Sequence, residues 1–227
     1  MASFSQSRFS AWLENLVAQR REESGLYREV AEKLPRLDSG RLLDIGTGSG
    51  LMLKDVHDIS PDLELFGLDL SPHVIHVAHR NLDGLEVDLR VGSIEHAPYD
   101  DGFFDVATCQ SSMSYWQNPV ACFDEIYRIL KPGGRAVLFE PQKDIDVDAA
   151  VATIRKNLAG KSPLRRWAAA ALNSFALRRG RRVGLHLYSV AELDALAQRS
   201  RFGANHSVEP TTLQNVPIFV RISLFKP

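Results

Sequence analysis

Two apolar rhythms alternate along the chain. Short runs such as Leu42-Leu43-Asp44-Ile45, Leu63 to Leu70, Leu85 to Val91, Phe104 to Thr108 and Arg135 to Glu140 read as strands. Apolar runs of this length suit a parallel sheet, where both faces must be covered. Between them lie helical patterns. One starts at Leu51, Met52, Leu53 and Val56; a second runs from the N-cap Ser71-Pro72 to about Leu82, and a third from about Val120 to Leu130. This alternation predicts an α/β architecture with a doubly wound, mostly parallel sheet. From Ile145 to Gly184 the alternation breaks off. Ser189-Val190-Ala191-Glu192 then has capping-box form and opens a further helix to about Arg199. Val208 to Leu213 and Pro217 to Phe225 read as two final strands. The short Gln214-Asn215-Val216 link makes them an antiparallel hairpin rather than a crossover, bringing the sheet to seven strands.

Helical periodicity also marks the flanks. Phe9, Trp12, Leu13, Leu16 and Val17 share one helical face, and Leu26, Val30 and Leu34 a second, stopped by Pro35. These read as core packing or as a lid over a site. A single domain over 1–227 follows: a helical cap at 1–36, a core at 37–141, a basic helical insert at 142–186, and a closing helix and hairpin at 187–227. Within the insert, Leu164, Trp167, Ala168, Ala171, Leu172 and Phe175 mark an amphipathic helix.

Composition adds mainly exclusions. With 227 residues and a formal net charge of −1, whole-chain charge selects no partner. Two cysteines, Cys109 and Cys122, provide neither a disulfide framework nor a metal-ligand spacing. No run approaches bilayer length and no signal pattern opens the chain, so a cytoplasmic location is expected. His73, His76 and His79 step by three along one helix. Each step turns it by about 300°, so the set drifts round the helix and reads as surface or packing rather than as metal ligands.

The chemistry concentrates after the first strand, in Gly46-Thr47-Gly48-Ser49-Gly50. Glycines admit positive φ and let a ligand approach the backbone, and the helix that follows offers free N–H groups. The spacing is G-x-G-x-G; a dinucleotide fingerprint needs its third glycine where Leu51 stands, and no Gly-Lys-Ser/Thr follows for a phosphate loop. Asp69 ends the second strand, 25 positions after Asp44, where a carboxylate can accept two ribose hydroxyls. Ala97-Pro98-Tyr99-Asp100-Asp101-Gly102-Phe103-Phe104-Asp105 leads into the fourth strand, and Glu125-Ile126-Tyr127-Arg128-Ile129-Leu130-Lys131-Pro132-Gly133-Gly134 into the fifth.

With these motifs the chain resembles the class I S-adenosylmethionine-dependent methyltransferases, in their small-molecule branch. The resemblance is close from Leu42 to Glu140 and looser toward the C-terminus. It implies a Rossmann-like methyltransferase fold with S-adenosylmethionine as cofactor. Gly46, Thr47, Gly48 and Gly50 are then expected around the methionine moiety and ribose, Asp44 at the cofactor's amino group directly or through water, Asp69 on the ribose hydroxyls and Leu70 on the adenine. Ser93 and Ile94 fall at the adenine amine; Ser93 departs from the acid usual there. Gln110 matches a position whose backbone meets the cofactor's amino group. The resemblance implies methyl transfer to a small molecule by in-line displacement, with an oxygen or nitrogen nucleophile favoured and positioning in place of an obligatory base. No catalytic residue is assigned; Tyr115, Trp116, His186 and Tyr188 are the acceptor-side candidates. Tyr115 and Trp116 read equally as packing under the helix that follows. A non-catalytic binder of S-adenosyl ligands, or an enzyme using another part of the cofactor, is the alternative.

From Arg155 to Arg182 the chain carries nine basic residues and no acid. This reads either as a solvated helix face or as a surface for an anionic or lipid-like acceptor, an acidic carrier protein, a membrane surface or a second copy of the chain. No nucleic-acid partner is expected, because Trp167 and Phe175 sit on the apolar stripe of that helix.

Overall fold

The computed structural model describes residues 25–157 and 186–227. The predicted helix at Phe9–Val17, the amphipathic helix at Leu164–Phe175 and most of the basic stretch lie outside the described residues. The elements are α1 (Leu26–Glu32), β1 (Gly40–Ile45), α2 (Leu51–Ile59), β2 (Leu63–Asp69), α3 (Pro72–Asn81), β3 (Val87–Val91), β4 (Phe104–Gln110), α4 (Pro119–Ile129), β5 (Leu130–Pro141), α5 (Val147–Asn157), α6 (Val190–Arg199), β6 (His206–Leu213) and β7 (Val216–Phe225).

The seven strands form one sheet in the order β3-β2-β1-β4-β5-β7-β6. Pairs among β1 to β5 are parallel, and β7 runs antiparallel to both β5 and β6. The chain winds outward from β1 through β2 to β3, then returns to place β4 on the other side of β1. That reversal is a topological switch point, where open α/β sheets hold ligands.

Successive residues of a strand face opposite sides, and the core divides accordingly. Leu42 packs with α1 and α2 through Leu26, Val30, Leu53 and Val56. Leu43 and Ile45 belong to the apolar cluster that also holds Phe123 and Ile126 of α4 and Leu193 and Ala197 of α6. Ser71 and Ser189 cap α3 and α6 as their sequences predict, the latter with both arms of the capping box. The closing hairpin turns on Gln214 and Asn215, at φ 53° and 61°. Two left-handed residues in succession match the twist of a two-residue hairpin, and asparagine tolerates that region well.

Helix α5 lies within the 142–186 stretch read as a helical insert, ahead of the Leu164–Phe175 pattern. One feature differs from the sequence-based expectation. The fifth strand starts at Leu130, not Arg135: Leu130 pairs with Phe104 and Arg135 with Val106, so Lys131-Pro132-Gly133-Gly134 bulges opposite Asp105 alone. Gly133 has φ 79°, and a Cβ on Gly134 would lie 2.8 Å from the Lys131 carbonyl. The bulge is anchored by Lys131 Nζ on Asp105 at 2.7 Å and by exchange of backbone hydrogen bonds with Lys226.

Candidate functional site

The turn after β1 is shaped by its glycines. Gly46, Gly48 and Gly50 have φ of 70°, 56° and 78°, a region that side chains bearing Cβ rarely adopt. The N–H groups of Gly46 and Thr47 both donate to the Leu68 carbonyl, at 2.8 and 3.1 Å, tying the turn to β2. Gly67, within β2, makes room for it: a Cβ there would lie 2.9 Å from Thr47 Cγ2 and 2.6 Å from Leu89 Cδ2. From α3, Asn81 Nδ2 donates to the Ser49 carbonyl at 2.9 Å.

Asp69 receives the turn. Gly48 N–H donates to its Oδ2 and Ser71 N–H to its Oδ1, both at 3.0 Å. Each oxygen keeps a lone pair for a further donor. Leu70 follows Asp69 in the chain, and Val91 on β3 is the register partner of Asp69. These two apolar side chains are 53% and 51% exposed. An exposed apolar pair beside a half-buried acid suits a flat ring next to a polyhydroxyl group. Ser93 Oγ accepts from Glu95 N–H at 3.1 Å, capping the short turn Ile94–His96, while the Ile94 side chain is buried in the core.

Acids dominate the electrostatics. Asp44 is 2% exposed. Burial pushes its carboxyl up to about 7, with the Asp69 charge adding to the rise. The Thr47 hydroxyl opposes it, although it makes no hydrogen bond of good geometry. Burial also raises Asp69, against the pull of the Ser71 and Gly48 N–H groups.

A third acid, Glu140 at the end of β5, is not among the residues the sequence points to. It is 3% exposed. Its Oε1 accepts from Ser112 N–H at 2.9 Å and Met113 N–H at 3.2 Å, with Cys109 Sγ 3.5 Å away. Burial pushes it up to about 7, against those donors. The turn it holds is strained, because Ser111 has φ 57°. Ser112 Oγ donates to the Ile45 carbonyl at 3.3 Å and lies 2.8 Å from Cys109 Sγ. A Cβ on Gly46 would fall 2.5 Å from that same Ser112 hydroxyl, so the two turns touch. Three buried polar atoms around these turns have no protein partner: Thr47 Oγ1, Gln110 Nε2 and Ser111 Oγ. Orphans of this kind call for a ligand or water.

The acceptor-side candidates separate. Tyr115 is exposed, whereas the Trp116 ring packs edge-on against Phe123 at 5.8 Å, as in the packing reading. Tyr188 is buried with Met113, Cys122 and Phe123. Burial raises its phenol, with smaller contributions from Cys122 and Glu140. His186 is exposed, its ring 4.6 Å from that of Tyr188. His73, His76 and His79 are all exposed on α3, and no group of three or more His, Cys, Asp or Glu among the described residues could hold a metal ion.

Among the site residues absent from the sequence motifs, only Gly67 and Val91 carry a usable signal, a glycine inside an apolar strand and an apolar residue at a strand end. Glu140 looks like any strand-terminal acid, and serine at position 111 does not announce positive φ.

A family model described as a methyltransferase domain matches residues 43–138. The chain is 32% identical over 111 residues to demethylmenaquinone methyltransferase from Thermus thermophilus, covering 48% of this chain and 49% of that protein. It is 33% identical over 105 residues to the ubiquinone biosynthesis O-methyltransferase of Xanthomonas euvesicatoria, covering 45% and 43%. The chain thus matches about half the length of these curated relatives. Geranyl diphosphate C-methyltransferase from Streptomyces coelicolor, solved with S-adenosyl-L-homocysteine, superposes with a TM-score of 0.63 at 16% identity, over 92% of this chain and 80% of that one, which shows a shared fold. Motif, sheet order and the match to a methyltransferase domain model agree over residues 43–138, the core of the chain.

Proposed function

We propose that this chain transfers the methyl group of S-adenosylmethionine to a small-molecule acceptor. The observation that carries the reading is the triple left-handed glycine turn folded onto Asp69 at the switch point of the sheet. The residues present fit this cofactor. A Cβ on Gly48 would meet nothing nearer than 3.9 Å, so the backbone is open there, Leu70 and Val91 offer an apolar face beside Asp69, and the orphaned Thr47, Gln110 and Ser111 groups supply unspent hydrogen-bonding capacity. Gly46, Thr47, Gly48 and Gly50 would hold the methionyl part and ribose, and Asp69 the ribose hydroxyls. Leu70 would take the adenine face, Ser93 and Ile94 its amine, and Gln110 and Asp44 the amino group. Bound there, the cofactor supplies an electrophilic methyl group on a positively charged sulfur.

The chain then has mainly to bind, orient and exclude water. Three acids at the strand ends, Asp44, Asp69 and Glu140, favour a cationic ligand. A base is needed only where the nucleophile starts protonated, so no side chain is assigned that role. On the acceptor side, exposed Tyr115 and His186 would meet the molecule, with Trp116 and Tyr188 setting the wall behind them. An oxygen or nitrogen nucleophile on an apolar body suits this rim. The names of the relatives, which refer to demethylmenaquinone and to ubiquinone biosynthesis, support a small apolar acceptor. An anionic or lipid-like group on it, or an acidic carrier protein, would complement the basic residues between 155 and 182. No helix among the described residues is long and apolar enough to cross a membrane.

The test is incubation with methyl-labelled S-adenosylmethionine and a metabolite extract, followed by mass analysis. A labelled small molecule absent from an Asp69→Ala control supports the reading. Binding of the cofactor without transfer to any extract component favours a non-catalytic binder.

A further inference from the structure

The turn after β4 is held in an unfavourable shape by one buried group. Ser111 sits at φ 57° although it bears a Cβ, a conformation that persists only where the surroundings impose it. Its own N–H is bonded to the Phe139 carbonyl at 2.9 Å. The next two N–H groups, of Ser112 and Met113, converge on the single oxygen Glu140 Oε1. Met113 is itself fully buried, in the apolar cluster that holds Cys109, Cys122 and Phe123. Without Glu140 its N–H would be left unpaired there. The held turn carries two of the three orphaned polar atoms of the site, Gln110 Nε2 and Ser111 Oγ. It also presses on the other turn: Ser112 Oγ donates to the Ile45 carbonyl, and the Ser112 side chain occupies the volume a Cβ on Gly46 would need.

We propose that Glu140 is a positioning residue which clamps the strained Gln110–Met113 turn and, through Ser112, fixes the glycine turn at Gly46 for the cofactor. Glu140 acts through backbone N–H groups and lies outside both the glycine motif and the Lys131-Pro132-Gly133-Gly134 motif. Its Oε1 is committed to the turn rather than free to serve as a base. The proposal rests on the methyl-donor reading of the glycine turn and extends it to a residue that no motif marks.

The test is calorimetric titration of S-adenosylhomocysteine into the wild-type chain, Glu140→Gln, Glu140→Ala, Ser111→Gly and the double variant Glu140→Ala/Ser111→Gly. Glu140→Ala is expected to bind about tenfold more weakly, the size of a lost charge-assisted hydrogen bond. Glu140→Gln, which keeps an acceptor oxygen, should fall between it and the wild type. The double variant should lose less relative to Ser111→Gly than Glu140→Ala loses relative to wild type, since glycine takes φ near 57° without strain while the Met113 N–H stays unpaired. General damage to the core would not respond to that change. Wild-type affinity in folded Glu140→Ala, or an equal loss on the Ser111→Gly background, overturns the proposal. If Glu140→Ala does not fold, amide exchange of Glu140→Gln at pH 8 decides: faster exchange at Ser112 and Met113 supports the clamp, and unchanged rates overturn it. Absence of binding by the wild type would instead overturn the methyl-donor reading.

Discussion

Replacing Asp44 with asparagine separates what its carboxylate does to the fold from what it does for the site. Asp44 is buried at the end of β1, and burial together with Asp69 raises it from an ordinary 3.8 to about 7. A carboxyl raised in the folded state binds its proton more tightly there than in the unfolded chain. Its contribution to stability is therefore complete below about pH 4 and is lost as the pH rises through about 7. Integrated between pH 5 and pH 8, that loss is about 2–3 kcal/mol. Asparagine does not titrate, so Asp44→Asn should escape this share of the decline. Urea unfolding of both proteins at pH 5 and pH 8 measures it, and the other titrating groups cancel in the difference. With a slope of about 2 kcal/mol per molar, the variant's midpoint relative to wild type should be about 1 M higher at pH 8 than at pH 5. The same variant should bind S-adenosylmethionine more weakly at pH 8, having lost a negative charge facing a cation. A midpoint difference that is equal at the two pH values would mean that Asp44 does not titrate with a raised pKa in the folded chain.

Three further outcomes follow from the geometry. Asp69→Ala should weaken S-adenosylhomocysteine binding by about 1–3 kcal/mol, and an unchanged calorimetric affinity would remove Asp69 from the ribose site. Gly67→Ala should lower stability by about 1–3 kcal/mol, because its Cβ would meet Leu89 Cδ2 at 2.6 Å and Thr47 Cγ2 at 2.9 Å; chemical denaturation checks this, and wild-type stability would show that both neighbours move freely. Ser189→Ala should lower stability by about 1 kcal/mol through loss of the α6 capping box, with cofactor affinity unchanged, and calorimetry with denaturation distinguishes the two.

The parts of the fold legible in the sequence are those whose cause is local. Ser71-Pro72 and Ser189-x-x-Glu192 mark helix starts because capping is decided within four residues. The glycine spacing at 46, 48 and 50 points to a backbone that must take positive φ, and it does. The hairpin is readable from the shortness of its link. What stays hidden depends on partners distant in sequence. Glu140 acquires its role from Ser112 and Met113, 28 and 27 positions earlier. The Lys131–Gly134 bulge is set by Asp105 and by Lys226 from the far end of the chain. Trp116 reads equally as acceptor contact or packing in the sequence, and its ring contact with Phe123 is visible only in the fold.

The turn from Gly46 to Gly50, closed by Asp69, is the proposed site for S-adenosylmethionine. Titration calorimetry of the folded chain with S-adenosylmethionine and with S-adenosylhomocysteine reads its occupancy. Saturable binding of one ligand per chain, weakened by Asp69→Ala, is the predicted result; no binding of either ligand by a chain shown to be folded would contradict it.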